Sequence, residues 1–393
     1  MNNTNFSYFV GLDISKDSFT AAIKHNSSFT INSFKQSYQD FQKFINLLNS
    51  HSTDPNSILI AMESTSTYYL PLLSFLKNFN LNISIINPSQ IHNFSKIKLN
   101  PTKTDKIDAK TIACFASIFN QSSSNPLDNS LFEFKIIYRQ YEFISSLIQR
   151  VKNDIKRITF ITFPEIQSHF NIFSNSFLNI LVNFPSAFSV KENITAFESA
   201  FSSIVHKKVK FKASDIIKLA FNSIGINSNV FNEILKGLIK ILIFLKNIKK
   251  ELKKSIERRV EEIENNDVKI ITTIKGIGKM SASQFLAEIG DIRRFANKKK
   301  VVSYIGTDPV IKQSGKYKTE MHISKRGNRH ARRILYLMAT NVIMYEEKFK
   351  KYYERMRSKG KTHKEAVIAV GNKLVHHIYS MIIHNRPFSQ NYS

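Results

Sequence analysis

The stretch SYFVGLDIS, residues 7–15, is a short apolar run with one carboxylate, that of Asp13, near its end. Its length and its apolar residues predict a buried strand with Asp13 near the carboxyl end. The stretch NSILIAMES, residues 56–64, has the same character and ends in Glu63. Two buried strands that each end in an acid are the first indication of a functional site.

The segments around these two strands predict an α/β domain. Two short alternating segments and one further short apolar segment predict additional strands, and amphipathic stretches predict helices. The strands are SFTAAIKH (18–25), SFTINSF (28–34) and NISIINP (82–88), and the helices are YQDFQKFINLLNS (38–50), TYYLPLLSFLKNF (67–79) and TDKIDAKTIACFASIF (104–119). Thr104 is the predicted N-cap of the last helix. Three strands, helix, strand, helix, strand, helix is the order expected of a ribonuclease-H-like fold, in which strands one and four are central neighbours.

Four carboxylates are expected to converge in this arrangement. Asp105 and Asp108 are three residues apart at the start of a helix, so both project from one face and can approach Asp13 and Glu63. Clustered carboxylates repel each other and require cations, and oxygen ligands of this kind favour Mg²⁺ or Mn²⁺. Two such ions, roughly 4 Å apart, can hold the attacking and leaving oxygens of a phosphodiester. Asp17 is interpreted as a turn residue.

The charge of the chain predicts a polyanionic partner. Its 393 residues include 57 Lys and Arg against 30 Asp and Glu, a net charge of +27. Residues 271–393 hold 25 of the bases and 8 of the acids, so the excess is mainly C-terminal. The N-terminus resembles no signal peptide, and the apolar run ILIFL (241–245) is too short to cross a membrane. With the single Cys114, this predicts a cytoplasmic protein without a membrane partner.

The rest of the chain is predicted to be mainly helical. Residues 131–162 and 231–264 indicate two long helices, the second with an apolar stripe suited to a coiled coil. We expect a metal-binding domain at 1–125, a coiled-coil region at 126–266 with an insertion at about 163–230, and a C-terminal domain at 267–393. Gly276 and Gly278 form a helix-hairpin-helix pattern that, with Lys279, would bind phosphate. A plain tight turn is the alternative.

Six sequence blocks, in order, resemble the DEDD-type recombinases of insertion-sequence family 110, relatives of the Piv DNA invertase. They cover residues 7–118 and about 268–345. The three acidic blocks are GLDISKDSF, AMESTSTYY and KTDKIDAKTIA, and the C-terminal blocks are IKGIGKMSASQFLAEIGDIRRF, YIGTDPVIKQSGKYK and ISKRGNRHARRILYLMATN.

The resemblance implies a RuvC-like domain that binds Mg²⁺ through Asp13, Glu63, Asp105 and Asp108. It implies that Ser314 is the nucleophile of a DNA recombinase. It further implies dimers that assemble into tetramers through the coiled coil, and a structured noncoding bridge RNA whose loops pair with target and donor DNA. Such a division of labour is physically reasonable, because base pairing reads sequence while a basic surface holds the backbone.

The residues around Ser314 suit an anionic substrate. Gly315 allows close approach of a phosphate, and a turn serine is the ordinary alternative for Ser314. Tyr317 is a rival nucleophile. Ser324 is interpreted as a helix N-cap. The predicted phosphate-binding side chains are basic and follow one another along the sequence: Lys312, Lys316, Lys318, Lys325, Arg326, Arg329, Arg332 and Arg333.

Three other functions remain open from the sequence. A RuvC-like nuclease would use water and leave no protein–DNA adduct. A Piv-like invertase would use the same chemistry for inversion. An inactive transposase relic would bind nucleic acid without cutting it.

Overall fold

The computed structural model describes residues 6–63, 67–86, 88–97, 104–119, 130–204, 212–314 and 317–389, with the backbone alone at 89, 97, 130, 310–314 and 317–321. The chain forms two compact units, Met1–Phe132 and Glu133–Ser393.

The first unit contains a five-stranded mixed sheet in the order β3-β2-β1-β4-β5. β1 pairs antiparallel with β2 and parallel with β4, so the first and fourth strands are neighbours, as predicted. The predicted order of elements is confirmed, with one helix added where Pro88 ends the fifth strand and starts α3. The elements are β1 Tyr8–Ile14, β2 Ser18–His25, β3 Ser28–Lys35, α1 Tyr38–His51, β4 Ile58–Glu63, α2 Tyr69–Leu76, β5 Asn82–Ile86, α3 Pro88–Ile97 and α4 Asp105–Phe119.

The two faces of this sheet pack against different helices. Val10, Leu12 and Met62 belong to a core formed with α1 and α2. Leu59 and Ala61 belong to a second core formed with α3 and α4. Because side chains alternate along a strand, each central strand is buried on both faces, which explains its nearly continuous apolar sequence.

The second unit begins with two long helices and a group of short ones. The start of α5 contacts the end of α11, where Arg259 donates to Glu133 at 2.8 Å, and their other ends share one core with the helices between them, so α5 and α11 run antiparallel. The helices are α5 Ser130–Thr162, α6 Ile166–His169, α7 Asn175–Asn183, α8 Ala187–Glu192, α9 Ile194–Ile204, α10 Ala213–Phe221 and α11 Asn229–Glu262.

The remaining elements form a helical core with one β-hairpin. α15 packs against α13, α16 and α17, so it lies at the centre of this part. The hairpin was not predicted, because its strands are only six and seven residues long. The elements are α12 Asn266–Thr272, α13 Lys279–Ile289, α14 Lys298–Ile305, β6 Pro309–Ser314, β7 Tyr317–Ile323, α15 Arg329–Tyr345, α16 Glu347–Ser358 and α17 His363–Ile383.

One helix of the described residues, α17, is long and apolar enough to cross a membrane by length and composition. Core helices of globular domains meet the same criterion. Nine of its side chains or glycines are buried, including Val370, Leu374 and Ile378, and it packs against α12, α14, α15 and α16. We therefore interpret α17 as a core helix.

Candidate catalytic and nucleic-acid-binding sites

Asp13 and Glu63 lie at the carboxyl ends of neighbouring parallel strands. The register pairs Leu12 with Met62, and each acid is the next residue along its strand. Glu63 also pairs with Ile86, whose side chain belongs to the core beneath α4. Since paired residues in a sheet project to the same face, both carboxylates project to the face that α4 covers. Both are partly exposed.

The helix α4 carries the other two predicted acids in its first turn. A Cβ added to Gly11 would lie 2.1 Å from the carbonyl oxygen of Ala109, so the helix backbone lies directly on β1. Asp105 is one turn before Ala109, on the stripe that faces β1. Asp108 is one turn before Ile112, which packs on Ala61 and β4. Thr104 precedes the helix, and its hydroxyl accepts from the Ile107 N–H at 3.4 Å, as predicted for an N-cap.

The four acids agree in kind with a hard divalent cation, because all of their donors are carboxylate oxygens. The sheet register and α4 bring them to one face of one domain. Within the described ranges, however, no group of three or more His, Cys, Asp or Glu side chains lies close enough together to hold a metal ion. The structure therefore supports a shared location for these acids, and a formed four-ligand cluster stays a prediction.

Ser314 is the last residue of β6, at the tip of the β6–β7 hairpin. The register pairs Ser314 with Tyr317 and Lys312 with Thr319, so two residues connect the strands. Those two, Gly315 and Lys316, lie outside the described residues, as do the side chains of Lys312, Ser314 and Lys318. Their predicted roles stay predictions. A position beside the turn of a hairpin agrees with both the turn serine and the nucleophile.

The base of this hairpin is held by the backbone that follows it. Ser324 donates its N–H to the Asp308 carbonyl at 2.9 Å, and Asn328 donates to the Tyr304 carbonyl at 2.8 Å. The family's usual Gly-Leu-x-Pro is here Gly306-Thr307-Asp308-Pro309. Thr307 is buried, and its hydroxyl donates to the Asn372 side chain at 2.6 Å. The threonine that departs from the family pattern thus makes a hydrogen bond to α17.

The predicted N-cap at Ser324 is wrong. The helix α15 begins at Arg329, and Asn328 is its N-cap, with its side-chain oxygen accepting from the N–H groups of His330 and Ala331. The Ser324 hydroxyl instead donates to Asp308 at 2.6 Å. Serine and asparagine are comparable N-caps, so residue preference alone could not place the start of the helix.

The basic residues near α15 fall into two groups. Lys325, Arg326 and Arg329 are exposed and available to a phosphate backbone. Arg332 donates to the Ile305 carbonyl at 2.9 Å, and burial lowers its pKa from the usual value. Arg333 donates to Glu142 of α5 at 2.8 Å. Arg332 and Arg333 therefore have partners within the protein, and a nucleic acid would have to bind them in addition to those partners.

The helix-hairpin-helix pattern is present as α12, a turn and α13. Gly276 has a φ of +92°, and a Cβ there would lie 3.0 Å from the carbonyl oxygen of Asn341 in α15. Gly276 thus has a structural reason to be glycine, while a Cβ on Gly278 would meet nothing within 4 Å. Lys279 donates to the Glu261 carbonyl at 2.9 Å, at the end of α11. Phosphate binding at this turn stays a prediction, carried mainly by the exposed backbone around Gly278.

A buried polar network supports the start of α15, and the sequence analysis missed it. Glu288 of α13 is 4% exposed and accepts two hydrogen bonds from Arg139 of α5, at 2.8 and 2.7 Å. It also accepts from Asn328, the N-cap of α15, at 2.9 Å. Burial is the largest single influence and raises the pKa of Glu288, but the hydrogen bonds from Arg139 and Asn328 and the charges of Arg139 and Lys135 together outweigh it and hold that pKa below its usual value. Lys135 is close by, and burial lowers its pKa.

A second buried acid, Glu142, ties α5 to the same helix. It is 8% exposed and contacts His330 Nδ1 at 2.6 Å and Arg333 at 2.8 Å. The partners of both acids are 40 or more residues away in sequence, so no local pattern could reveal them. The only sequence signal is an isolated acid on an apolar helix face, at Glu142 and Glu288.

Comparison with known proteins identifies the family. Residues 10–164 match a transposase family model of DEDD-type transposases from IS110 elements. Residues 268–354 match a model described as the transposase IS116/IS110/IS902 family. Together, the two matches include all six sequence blocks of the resemblance.

Several curated proteins are similar to this chain. The pilin gene-inverting proteins of Moraxella bovis and Moraxella lacunata are 24% and 23% identical to it, over 97% of this chain and 98% of each relative. The insertion element IS900 uncharacterized 42 kDa protein of Mycobacterium paratuberculosis is 30% identical over 29% of each chain. Membership of the DEDD family also indicates dependence on a divalent metal ion. The chain therefore belongs to the IS110 family of transposases, which are DNA-recombining enzymes.

Proposed function

We propose that this transposase cuts and rejoins DNA with a RuvC-like, DEDD metal site and a serine nucleophile. The observation that carries the proposal is the placement of Asp13 and Glu63 at the ends of adjacent parallel strands, on the face covered by the helix that begins with Asp105 and Asp108. Mg²⁺ or Mn²⁺, held by these four acids, would neutralise charge on the phosphate oxygens and activate the attacking hydroxyl.

Ser314 is the proposed nucleophile. Its Oγ forms a bond to a DNA phosphorus, the bond from phosphorus to one deoxyribose oxygen breaks, and the serine proton ends on the released hydroxyl. A hydroxyl of another strand reverses this exchange and joins the new DNA. The proposal rests on the family blocks around Ser314 and on its position at a hairpin tip, where a nucleophile can reach a substrate.

The trapping experiment tests the nucleophile directly. We expect wild-type protein, incubated with substrate DNA and its guide RNA, to leave a denaturation-resistant protein–DNA adduct. Ser314→Ala should abolish the adduct, and Tyr317→Phe should retain it, which separates the two candidate hydroxyls. An adduct that survives in Ser314→Ala would contradict the assignment. A metal-dependent nick without an adduct in the wild type would instead favour the water-using nuclease.

A matched pair of acids tests the metal site. Asp13→Asn should lose strand cleavage while retaining nucleic-acid binding, because it removes a charge from the proposed site without changing side-chain size. Asp17→Asn makes the same change at an exposed turn between β1 and β2 and should cleave normally. Equal activity of the two variants would remove the metal-site assignment. Binding without cleavage by the wild type would favour the inactive relic.

We further propose that the protein works as a dimer assembling into a tetramer, joined through α11. Beside its buried stripe, α11 has exposed apolar residues at heptad spacing: Val230, Ile234, Ile241 and Phe244, each at least 43% exposed. A second copy of the helix is the natural occupant of such a stripe. Phe244→Glu should shift the mass in analytical ultracentrifugation to a smaller species, while Lys240→Glu on the same helix should not.

Guidance by a bridge RNA that pairs with target and donor DNA is part of the proposal, and the basic C-terminal third supports it. DNA inversion is the second candidate, favoured by the two pilin gene-inverting relatives that match over nearly the whole chain. A recombination assay on a plasmid with paired sites distinguishes the two outcomes. Inversion of the intervening segment without added RNA would favour the invertase, and RNA-dependent insertion would favour the guided transposase.

A further inference from the structure

A group of cations lies on one face of the C-terminal helices, away in sequence from the segment around Ser314. Lys373 Nζ of α17 lies 4.5 Å from the centre of the Tyr352 ring, and the Arg355 guanidinium of α16 lies 5.0 Å from the same ring. Lys348 Nζ lies 6.0 Å from the centre of the Phe388 ring. Two cations beside one aromatic ring repel each other, and a bound anion would relieve that repulsion.

The segment before α14 brings further charge to this face. Tyr379 of α17 donates to the Phe295 carbonyl at 3.0 Å, just ahead of α14, whose first turn contains Lys298 and Lys299. Burial is the main cause of the lowered pKa values of His376 and His377 of α17, and the charge of Lys298 contributes to both. Lys298 of α14, Lys348 of α16 and Lys373 of α17 therefore all act on His377.

The sequence around Lys298 and Lys373 is poor in acids. The sequence contains no Asp or Glu between Glu365 and Ser393, nor between Asp291 and Asp308. On α16, Glu347 pairs with Lys351 at 2.9 Å, and Glu354 also acts on Lys351. Within the described part of the chain, Lys373 and Arg355 form no ion pair.

We propose that Lys298, Lys348, Arg355 and Lys373 form a second phosphate-binding surface, which holds the backbone of a bound nucleic acid. We name it the α16–α17 cationic surface. Phosphates repeat along a nucleic-acid strand, so they match several separate cations better than a single small anion does. The half-buried aromatic rings hold the cations in place. The inference rests on the proposed function, since it assumes that the protein binds nucleic acid. It adds a surface that the family blocks do not include.

Binding to fluorescently labelled nucleic acid without metal tests this surface separately from catalysis. The probes are a DNA duplex and a folded RNA hairpin, each measured by anisotropy over a range of salt concentrations. Lys373→Gln/Arg355→Gln should weaken binding of at least one probe about tenfold and reduce the salt-dependence slope by about 2, one for each lost phosphate contact. The probe that is affected identifies whether DNA or RNA uses the surface.

The control is Lys350→Gln/Lys351→Gln, which also removes two positive charges, both from α16, one of them from the ion pair with Glu347. It should bind both probes nearly as wild type does. If both double variants weaken binding equally, net charge alone explains the effect and the surface is refuted. If Lys373→Gln/Arg355→Gln binds as tightly as wild type, the surface is likewise refuted, while adduct formation at Ser314 remains a separate question. Matching circular dichroism spectra exclude unfolding as the cause.

Discussion

Removal of the Glu288 carboxylate should destabilise the C-terminal unit strongly. The side chain is 4% exposed and accepts three short hydrogen bonds, two from Arg139 and one from Asn328. Breaking a buried ion pair by deleting one partner costs about 3–5 kcal/mol, because the other charge stays buried. The Arg139 side chain is 40% exposed, so water can partly replace the lost partner. We therefore expect Glu288→Ala to lower the free energy of unfolding by about 3 kcal/mol.

Thermal unfolding followed by far-ultraviolet circular dichroism measures this effect. A loss of about 3 kcal/mol corresponds to a decrease of about 6–12 °C in Tm for a unit of this size. Glu288→Gln retains the shape of the side chain and some of its hydrogen bonds, so its Tm should lie between those of wild type and Glu288→Ala. Glu347→Ala breaks an exposed pair with Lys351 and should leave Tm unchanged within error. Equal Tm values for Glu288→Ala and wild type would refute the argument that this network holds the N-terminus of α15.

The pH dependence follows from the direction of the Glu288 pKa. Its folded pKa lies below the usual value of about 4.5 for the unfolded chain. A depressed carboxyl pKa contributes stability that is present above the unfolded pKa and is lost as the pH falls through the folded pKa. The Tm difference between wild type and Glu288→Ala should therefore be constant near neutral pH and shrink below about pH 4.5.

Three further predictions concern the fold. Gly276→Ala should cost about 1–3 kcal/mol, because of the positive φ and the close Asn341 carbonyl, whereas Gly278→Ala should cost less than about 1 kcal/mol in the same urea titration. Gly11→Ala should destabilise the first unit by about 3 kcal/mol or more, since its methyl group would overlap the Ala109 carbonyl. Burial and nearby lysines lower the pKa of His377 to about 4, so stability should fall as the pH decreases from about 6.5 towards 4. After allowance for solvent screening, His377→Gln should remove about 1–2 kcal/mol of that loss in pH-dependent melting.

The sequence was sufficient where the signal is local. Apolar runs ending in Asp13 and Glu63 identified adjacent strands, because a buried parallel strand needs a continuous apolar segment and exposes its functional side chain only at its end. The long periodic stripe of α11 was also visible, and Leu242, Ile256 and Val260 of that stripe are buried. Strong periodicity and strand ends are properties of a few neighbouring residues.

The sequence was insufficient where partners are distant. The Glu142–Arg333 pair joins residues nearly two hundred positions apart. Arg332 donates to the carbonyl of Ile305, and the position of that carbonyl depends on α14. Ser324 and Asn328 are both good caps, and only the packing of the hairpin base selects Asn328. A run of arginines therefore predicts that a surface is basic, but it does not show which guanidinium groups face solvent and which have partners within the protein.

The contact of α4 with Gly11 has a consequence for how this enzyme can change over time. The distance between the helix and the sheet is set by main-chain atoms of Gly11, Ala109 and Ala113, and not by the side chains that fill the surrounding core. Substitutions among the apolar residues beneath α4 can thus alter stability while the acids at its first turn keep their height above β1. Such a separation lets the core change under mutation without moving the acids proposed to bind metal, whereas a methyl group at position 11 would move the helix itself.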